Sequence, residues 1–148
     1  MPRKTSDQHQ ANSRLGALGE SLVQTFLLEY ADFCYPTQEK HPADLMVEFG
    51  SAKYTVQVKS RRATKEKKFV FAAENSRSQS ETYKHYTCDI LAFVFFDGEE
   101  KRIMFKANTS SQNYFTFDKK AITESMELDS LKETLDNLSS VPVLNPLI

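Results

Sequence analysis

Cysteine is scarce in this 148-residue chain. The two present, Cys34 and Cys88, stand far apart in no CxxC or Cys/His spacing, which argues against a structural zinc site and for two buried thiols. No apolar run approaches the roughly 20 residues of a membrane-crossing helix, and the opening MPRKTSDQHQANSR lacks the apolar core of a signal peptide. A reducing, cytoplasmic setting is therefore expected. Internal repeats and low-complexity segments are absent as well. So is any excess of positive charge: 19 Lys and Arg against 20 Asp and Glu leave a net charge of −1, which taken alone counts against nucleic acid as a partner.

What is present is material for a core. Apolar residues make up 40% of the chain and phenylalanine alone contributes 11 residues, too many for a disordered chain and enough for one globular domain over 1–148. The charges that nearly cancel in sum are also unevenly placed. Residues 59 to 68 (KSRRATKEKK) hold six Lys or Arg and one Glu, whereas residues 118 to 148 hold six acids and three Lys.

Residues 1–12 are polar and are expected to fray. From Ser13, Leu15, Leu18, Leu22, Phe26 and Tyr30 recur at three- and four-residue spacing, widened by Val23 and Leu27, so the pattern predicts a helix over 13–30. Gly16 and Gly19 fall within its apolar arc, where a missing side chain lets another element approach, and Glu20 lies at the edge of that arc. Phe33 to Tyr35 form a short strand candidate stopped by Pro36, and TQEKHPA reads as loop. DLMVEFG and KYTVQVKS then alternate strictly and are joined by Gly50, Ser51 and Ala52, the pattern of an antiparallel hairpin. KFVFAA reads as a third strand of that sheet and SRSQSETYKHYT as a helix. DILAFVFF reads as a central strand covered on both faces, RIMFKA as its partner across the DGEEK turn, and MELDSLKETLDNL as a helix carrying Met126, Leu131, Leu135 and Leu138. The order is αβββαβ with a further strand and a C-terminal appendix over 108–148: an α/β class, with helices packed on a mixed central sheet.

One polar group stands out. Folded about Gly50–Ala52, the hairpin brings Asp44 opposite residues 58 to 59, with Gln57 and Lys59 projecting to the same side as Asp44. A carboxylate, an amide oxygen and an ammonium then meet at the open end of the hairpin. With a nearby backbone carbonyl, that of Val58, they offer a partial oxygen shell for Mg2+ (or Mn2+), and a lysine beside such an ion suits phosphodiester hydrolysis. The competing reading is the ordinary solvated side of an antiparallel sheet. Glu48 shares this face but points towards the turn. His9 and His41 fall in expected loops without ligand spacing, and Asp89 stands where it can cap or pair locally ahead of the buried strand.

Gly16-Ala17-Leu18-Gly19-Glu20 on a first helix, Pro42-Ala43-Asp44-Leu45 opening a strand and Gln57-Val58-Lys59-Ser60 ending the next resemble the PD-(D/E)XK nuclease superfamily. The resemblance is strongest to archaeal Holliday junction resolvases and the related group I intron homing endonucleases, and covers roughly residues 13 to 96. It implies a restriction-endonuclease-like core and a metal-dependent DNA endonuclease. It also implies that Glu20 completes the metal site, that Asp44 is a metal ligand, that Lys59 is the catalytic lysine and that Ser60 fits the pattern. Gln57 departs from the usual Glu or Asp. An amide keeps an oxygen ligand but removes a charge, so metal affinity should fall.

The basic run gives the expected DNA contacts: Arg61, Arg62, Lys65, Lys67 and Lys68 leave the sheet beside Asp44 and Lys59, where phosphates would pass. Arg77, Tyr83 and Lys84, with His85 and Tyr86, mix basic and aromatic groups on the helix expected next; the tyrosines equally suit covering the sheet. The expected partner is double-stranded or branched DNA. A homo-oligomer, dimer or tetramer, is expected to associate through DILAFVFF and the C-terminal segment. An inactive DNA-binding protein that keeps the nuclease fold is the alternative, with Gln57 as its support. A protein-interaction domain with a merely solvated hairpin face is the third reading.

Overall fold

A computed structural model describes residues 6–38, 41, 43–72, 88–109 and 114–139. The chain begins with helix α1 (Ser6–Leu28), followed by strands β1 (Phe33–Pro36), β2 (Leu45–Phe49), β3 (Ala52–Arg62) and β4 (Lys68–Ala72). Strands β5 (Ile90–Asp97), β6 (Glu100–Ala107) and β7 (Tyr114–Asp118) lead through a short 3-10 turn to helix α2 (Glu124–Leu138). The main sheet has the order β1-β2-β3-β5-β6 and is mixed: β3 and β5 run parallel, the other neighbours antiparallel. The helix predicted over SRSQSETYKHYT, with Arg77, Tyr83, Lys84, His85 and Tyr86, lies outside the described residues.

α1 starts earlier than its apolar pattern, because residues 6–12 continue the helix as a polar extension with no core to cover. His9 therefore falls within the helix span and not in a loop. Leu15, Val23 and Leu27 are buried against β2, β3 and β5, with Leu22, Phe26 and Tyr30 packed at the margins, whereas Leu18 remains 50% exposed. The apolar arc is thus rotated away from Leu18. A Cβ on Gly16 would meet nothing within 4 Å from another element, so the close approach expected of both glycines occurs at Gly19 alone.

The hairpin forms with Leu45 opposite Val56 and Phe49 opposite Ala52. Gly50 takes the turn at φ +59°, a conformation that favours glycine. A tight turn at Gly50-Ser51 shifts the register relative to a loop of three residues, and carrying it forward sets Asp44 opposite Gln57, not residues 58 to 59. The short strand expected at Phe33 to Tyr35 forms, and β1 pairs antiparallel with β2. β5 is buried along Ile90–Phe96 by elements of its own chain, which removes it as the expected surface for self-association.

Two expectations fail at long range. KFVFAA does not extend the hairpin sheet; β4 pairs antiparallel with β7 in a separate two-stranded sheet. The physical reason is that the second edge of β3 is occupied by β5, while Phe69 and Phe71 find aromatic partners: Phe69 packs on Phe95 at 4.8 Å and Phe71 on Phe93 at 4.9 Å between ring centroids. The described part of the stretch over 108–148 is not an appendix either. Tyr114–Asp118 and Glu124–Leu138 form β7 and α2, and Leu131 and Leu135 of α2 are buried against the main sheet.

Both outer strands of the main sheet are blunted. Gln24 of α1 donates to the Cys34 carbonyl of β1 at 3.0 Å, and Pro36 has no N–H to offer. On β6 the Ile103 and Phe105 N–H groups donate to Glu127 Oε2 and Ser130 Oγ of α2, each at 3.0 Å. Side chains of both helices thus stand where a further strand would pair.

Candidate metal site and basic rim

The β2–β3 ladder ends at Leu45 and Val56, and beyond it the two chains splay. Asp44 sits in the splay. Its N–H donates to the Val56 carbonyl at 2.9 Å and its carboxylate Oδ2 accepts the Val58 N–H at 2.8 Å. The loop before it is pinned: Thr37 N–H donates to the Asp44 carbonyl at 3.0 Å, Thr37 Oγ1 donates to the Ala43 carbonyl at 2.6 Å, and His41 Nδ1 accepts the Ala43 N–H at 3.0 Å. His41 therefore has a structural task that no ligand spacing revealed. Because N–H and C=O of one strand residue point to the same edge, the Val58 carbonyl also faces the splay.

Alternation along β3 sends its side chains to both sides of the sheet. Val56, Val58 and Ser60 face α1; Gln57 and Lys59 face the other way, towards Cys88, Leu91 and Phe93. The site is therefore not one face of a hairpin, as spacing alone predicted, but a rim at the sheet end that both layers reach. From the α1 side comes Glu20, whose carboxyl is hydrogen-bonded to Asp44. Desolvation, then the Asp44 charge, then that hydrogen bond push Glu20 from the usual 4.5 up to about 7. From the other side comes Lys59, half-buried. Burial lowers its pKa below the usual lysine value, while Cys88 and Asp44 act in the opposite direction.

Gln57 lies deeper. The Cys88 thiol donates to Gln57 Oε1 at 3.9 Å, and Asn108 Nδ2 in turn donates to the Cys88 carbonyl at 3.0 Å and to its sulfur at 3.6 Å. Burial raises the Cys88 thiol to about 11, so it is protonated at neutral pH and available as a donor. Cys34 is also buried and free, at about 11 for the same reason. Asp89 pairs across strands and not locally: its Oδ2 accepts the Thr55 N–H at 2.9 Å and the Thr55 hydroxyl at 3.1 Å, which ties the start of β5 to β3. Glu48 accepts the Tyr35 hydroxyl at 2.9 Å and takes no part in the rim.

The donor set fits a hard divalent cation in part. Two carboxylates in contact, one of them holding its proton up to about pH 7, form a site in which a cation can replace a proton. No cluster of three His, Cys, Asp or Glu side chains occurs among the described residues, so any further protein oxygens must be neutral. Gln57 Oε1 and the Val58 carbonyl are the neutral oxygens nearest in sequence and strand position.

Arg61 and Arg62 continue from Lys59 and are exposed at the end of β3; Lys65, Lys67 and Lys68 are exposed in the connection to β4 and at its start. Lys119, assigned by composition to an acidic tail, joins them: its N–H donates to the Lys67 carbonyl at 3.0 Å and its Nζ to the Thr64 carbonyl at 2.6 Å. Only the β4–β7 pairing brings it there, and no local signal marks it.

No family model matches the sequence, and no curated protein matches it. Solved structures do match. The architecture, an α/β fold with a mixed central sheet flanked by helices, is shared with a bacterial homing endonuclease. That protein, I-Ssp6803I, superposes with a TM-score of 0.59 at 13% sequence identity, covering 84% of this chain and 97% of its own.

Proposed function

We propose that the chain is a metal-dependent DNA endonuclease of the PD-(D/E)XK type, with a homing-endonuclease-like or junction-resolvase-like substrate. The observation that carries this reading is the anchoring of Asp44 Oδ2 by the Val58 N–H at 2.8 Å where the β2–β3 ladder ends, with Glu20 and Lys59 both in electrostatic reach of it. The likeness of the fold to a homing endonuclease supports it.

Asp44 and Glu20 would hold Mg2+ or Mn2+, with Gln57 Oε1 and the Val58 carbonyl as neutral ligands. The ion supplies charge neutralisation at the scissile phosphate and a more acidic bound water. Asp44 is the fixed member, since the Val58 N–H holds its Oδ2. Glu20 would have to be ionised to serve as a ligand. Lys59 directs its ammonium at the non-bridging phosphate oxygens, where negative charge grows in the transition state, or at the attacking water; its burial strengthens that interaction by excluding solvent. Arg61, Arg62, Lys65, Lys67 and Lys68, joined by Lys119, grip the flanking backbone of double-stranded or branched DNA. Cutting both strands requires two such sites, hence a homo-oligomer.

The test is cleavage of supercoiled plasmid, linear duplex and a four-way junction with Mg2+ and Mn2+, for wild type and Asp44→Ala. Metal-dependent cleavage lost in Asp44→Ala supports the reading; no cleavage with either ion, and DNA affinity indifferent to Asp44→Ala, sinks it. Junction cleavage without sequence preference separates a resolvase from a homing enzyme. One observation favours the alternative of an inactive DNA-binding protein. Gln57 replaces a charged ligand and its oxygen already accepts from Cys88.

A further inference from the structure

Where α1 crosses β3, a Cβ on Gly19 would overlap Ser60 Oγ, lie 3.2 Å from Ser60 Cβ and 3.5 Å from Val58 Cγ1. The hydroxyl oxygen thus occupies the place of a side chain on residue 19, and the Gly19 Cα–H points at it. Ser60 Oγ is buried and has no hydrogen-bond partner. A buried hydroxyl without a strong partner is unfavourable for the fold, and alanine would fill much of the same space without that cost.

The position of this contact is informative. Gly19 immediately precedes Glu20, and Ser60 immediately follows Lys59. Each element therefore touches the other one residue away from a member of the candidate site. Glu20 interacts with Asp44 across this helix–strand crossing, so the approach of α1 to β3 sets how closely the two carboxyl groups meet. With a side chain at residue 19 the Ser60 hydroxyl would have to turn away, and the 3.2 Å approach of Ser60 Cβ would then have to widen by a few tenths of an ångström.

We infer that Gly19 and Ser60 form a spacer that fixes the distance between α1 and β3 and thereby the reach of Glu20 to Asp44. Both are positioning residues. The inference rests on the metal-site reading for its consequence, but its geometry stands on the helix–strand contact alone. Val58, which borders the same contact, also holds Asp44 through its N–H, so the spacer and the carboxylate pair share one strand segment.

The full-length chain is prepared as wild type, Gly19→Ala, and Gly19→Ala combined with Ser60→Ala or with Ser60→Gly. Two quantities are read: the Glu20–Asp44 carboxylate separation in crystal structures, and Mn2+ affinity by titration. Gly19→Ala should lengthen the carboxylate separation and weaken Mn2+ binding about tenfold, with cleavage reduced in step. Ser60→Ala should recover part of this, because its Cβ stays close, and Ser60→Gly should recover most. If Gly19→Ala alone fails to fold, the Gly19→Ala/Ser60→Gly protein must still fold and keep the carboxylates in contact. An unchanged carboxylate separation in Gly19→Ala, or no recovery in the double variants, overturns the inference. Failure of wild type to bind Mn2+ sinks the nuclease reading instead, and the carboxylate separation still decides the spacer.

Discussion

On the α1 and α2 side of the main sheet the core is largely aliphatic: Val23, Leu27, Leu45, Val47, Val56, Leu131 and Leu135 pack with hardly any exposed area. On the β4 and β7 side it is aromatic. Phe71, Phe93, Phe95, Phe115 and Phe117 meet through ring contacts, most of them tilted or edge-on, with Phe93 touching Phe71, Phe115 and Phe117 at 4.9 to 5.1 Å. Each side delivers different members of the candidate site. The helical side brings Glu20, placed by side-chain packing and the Gly19 notch; the aromatic side brings Gln57 and Lys59 on a strand and surrounds them with Cys88 and Asn108. Asp44 belongs to neither layer, standing in the strand splay between them. The acid from a helix is therefore adjustable by packing, while the strand residues are fixed by the hydrogen-bond ladder.

Four experiments break or sharpen that contrast, in descending order of effect. Asp44→Ala removes the member common to both sides and should lower cleavage by about 10³-fold or more, measured under single-turnover conditions. Phe93→Ala should cost about 3–5 kcal/mol in urea unfolding, at or above Leu27→Ala on the helical side, because its ring contacts span β4, β5 and β7. A smaller cost at Phe93 than at Leu27 would mean that the aromatic layer is not the firmer support.

The third experiment concerns pH. Glu20 is raised, so it binds a proton in the folded chain that the unfolded chain releases above the usual 4.5. Its ionisation therefore opposes folding: the penalty is absent below 4.5, grows as pH rises, and is complete above about 7. Metal binding needs the ionised form, so Mn2+ affinity should rise up to about tenfold per pH unit below pH 7 and level off above it. Glu20→Gln should flatten the profile, and an unchanged slope in that variant would remove Glu20 from the site. The smallest effect belongs to the rim. Arg61→Ala and Lys119→Ala should each weaken DNA binding a few-fold and reduce the salt slope by about 1, read by anisotropy at several salt concentrations. A Lys119→Ala protein with wild-type salt dependence would confine the rim to the β3–β4 connection.

Legibility in the sequence followed the range of the interaction. α1, the β2–β3 hairpin, β5, β6 and α2 were all readable, since each carries its own period of apolar residues. Asp44, Gln57 and Lys59 could be grouped because hairpin partners are neighbours in sequence. The register was not readable to the residue, because it depends on which residues Gly50 allows to form the turn. β7 was missed although Tyr114–Asp118 alternates, for its partner β4 lies more than 40 positions earlier.

The sequence by itself determined the local alternation that turns Gln57 and Lys59 to one side of β3, the helix that carries Glu20 and the buried run of β5. Tertiary structure alone decided that Glu20 meets Asp44, that Ser60 fills the notch at Gly19, that Cys88 lies against Gln57 and that Lys119 joins the basic rim. The reason is physical. A periodic side-chain pattern needs only neighbouring residues to specify an element, whereas the distance between two elements is set by the atoms that collide where they cross.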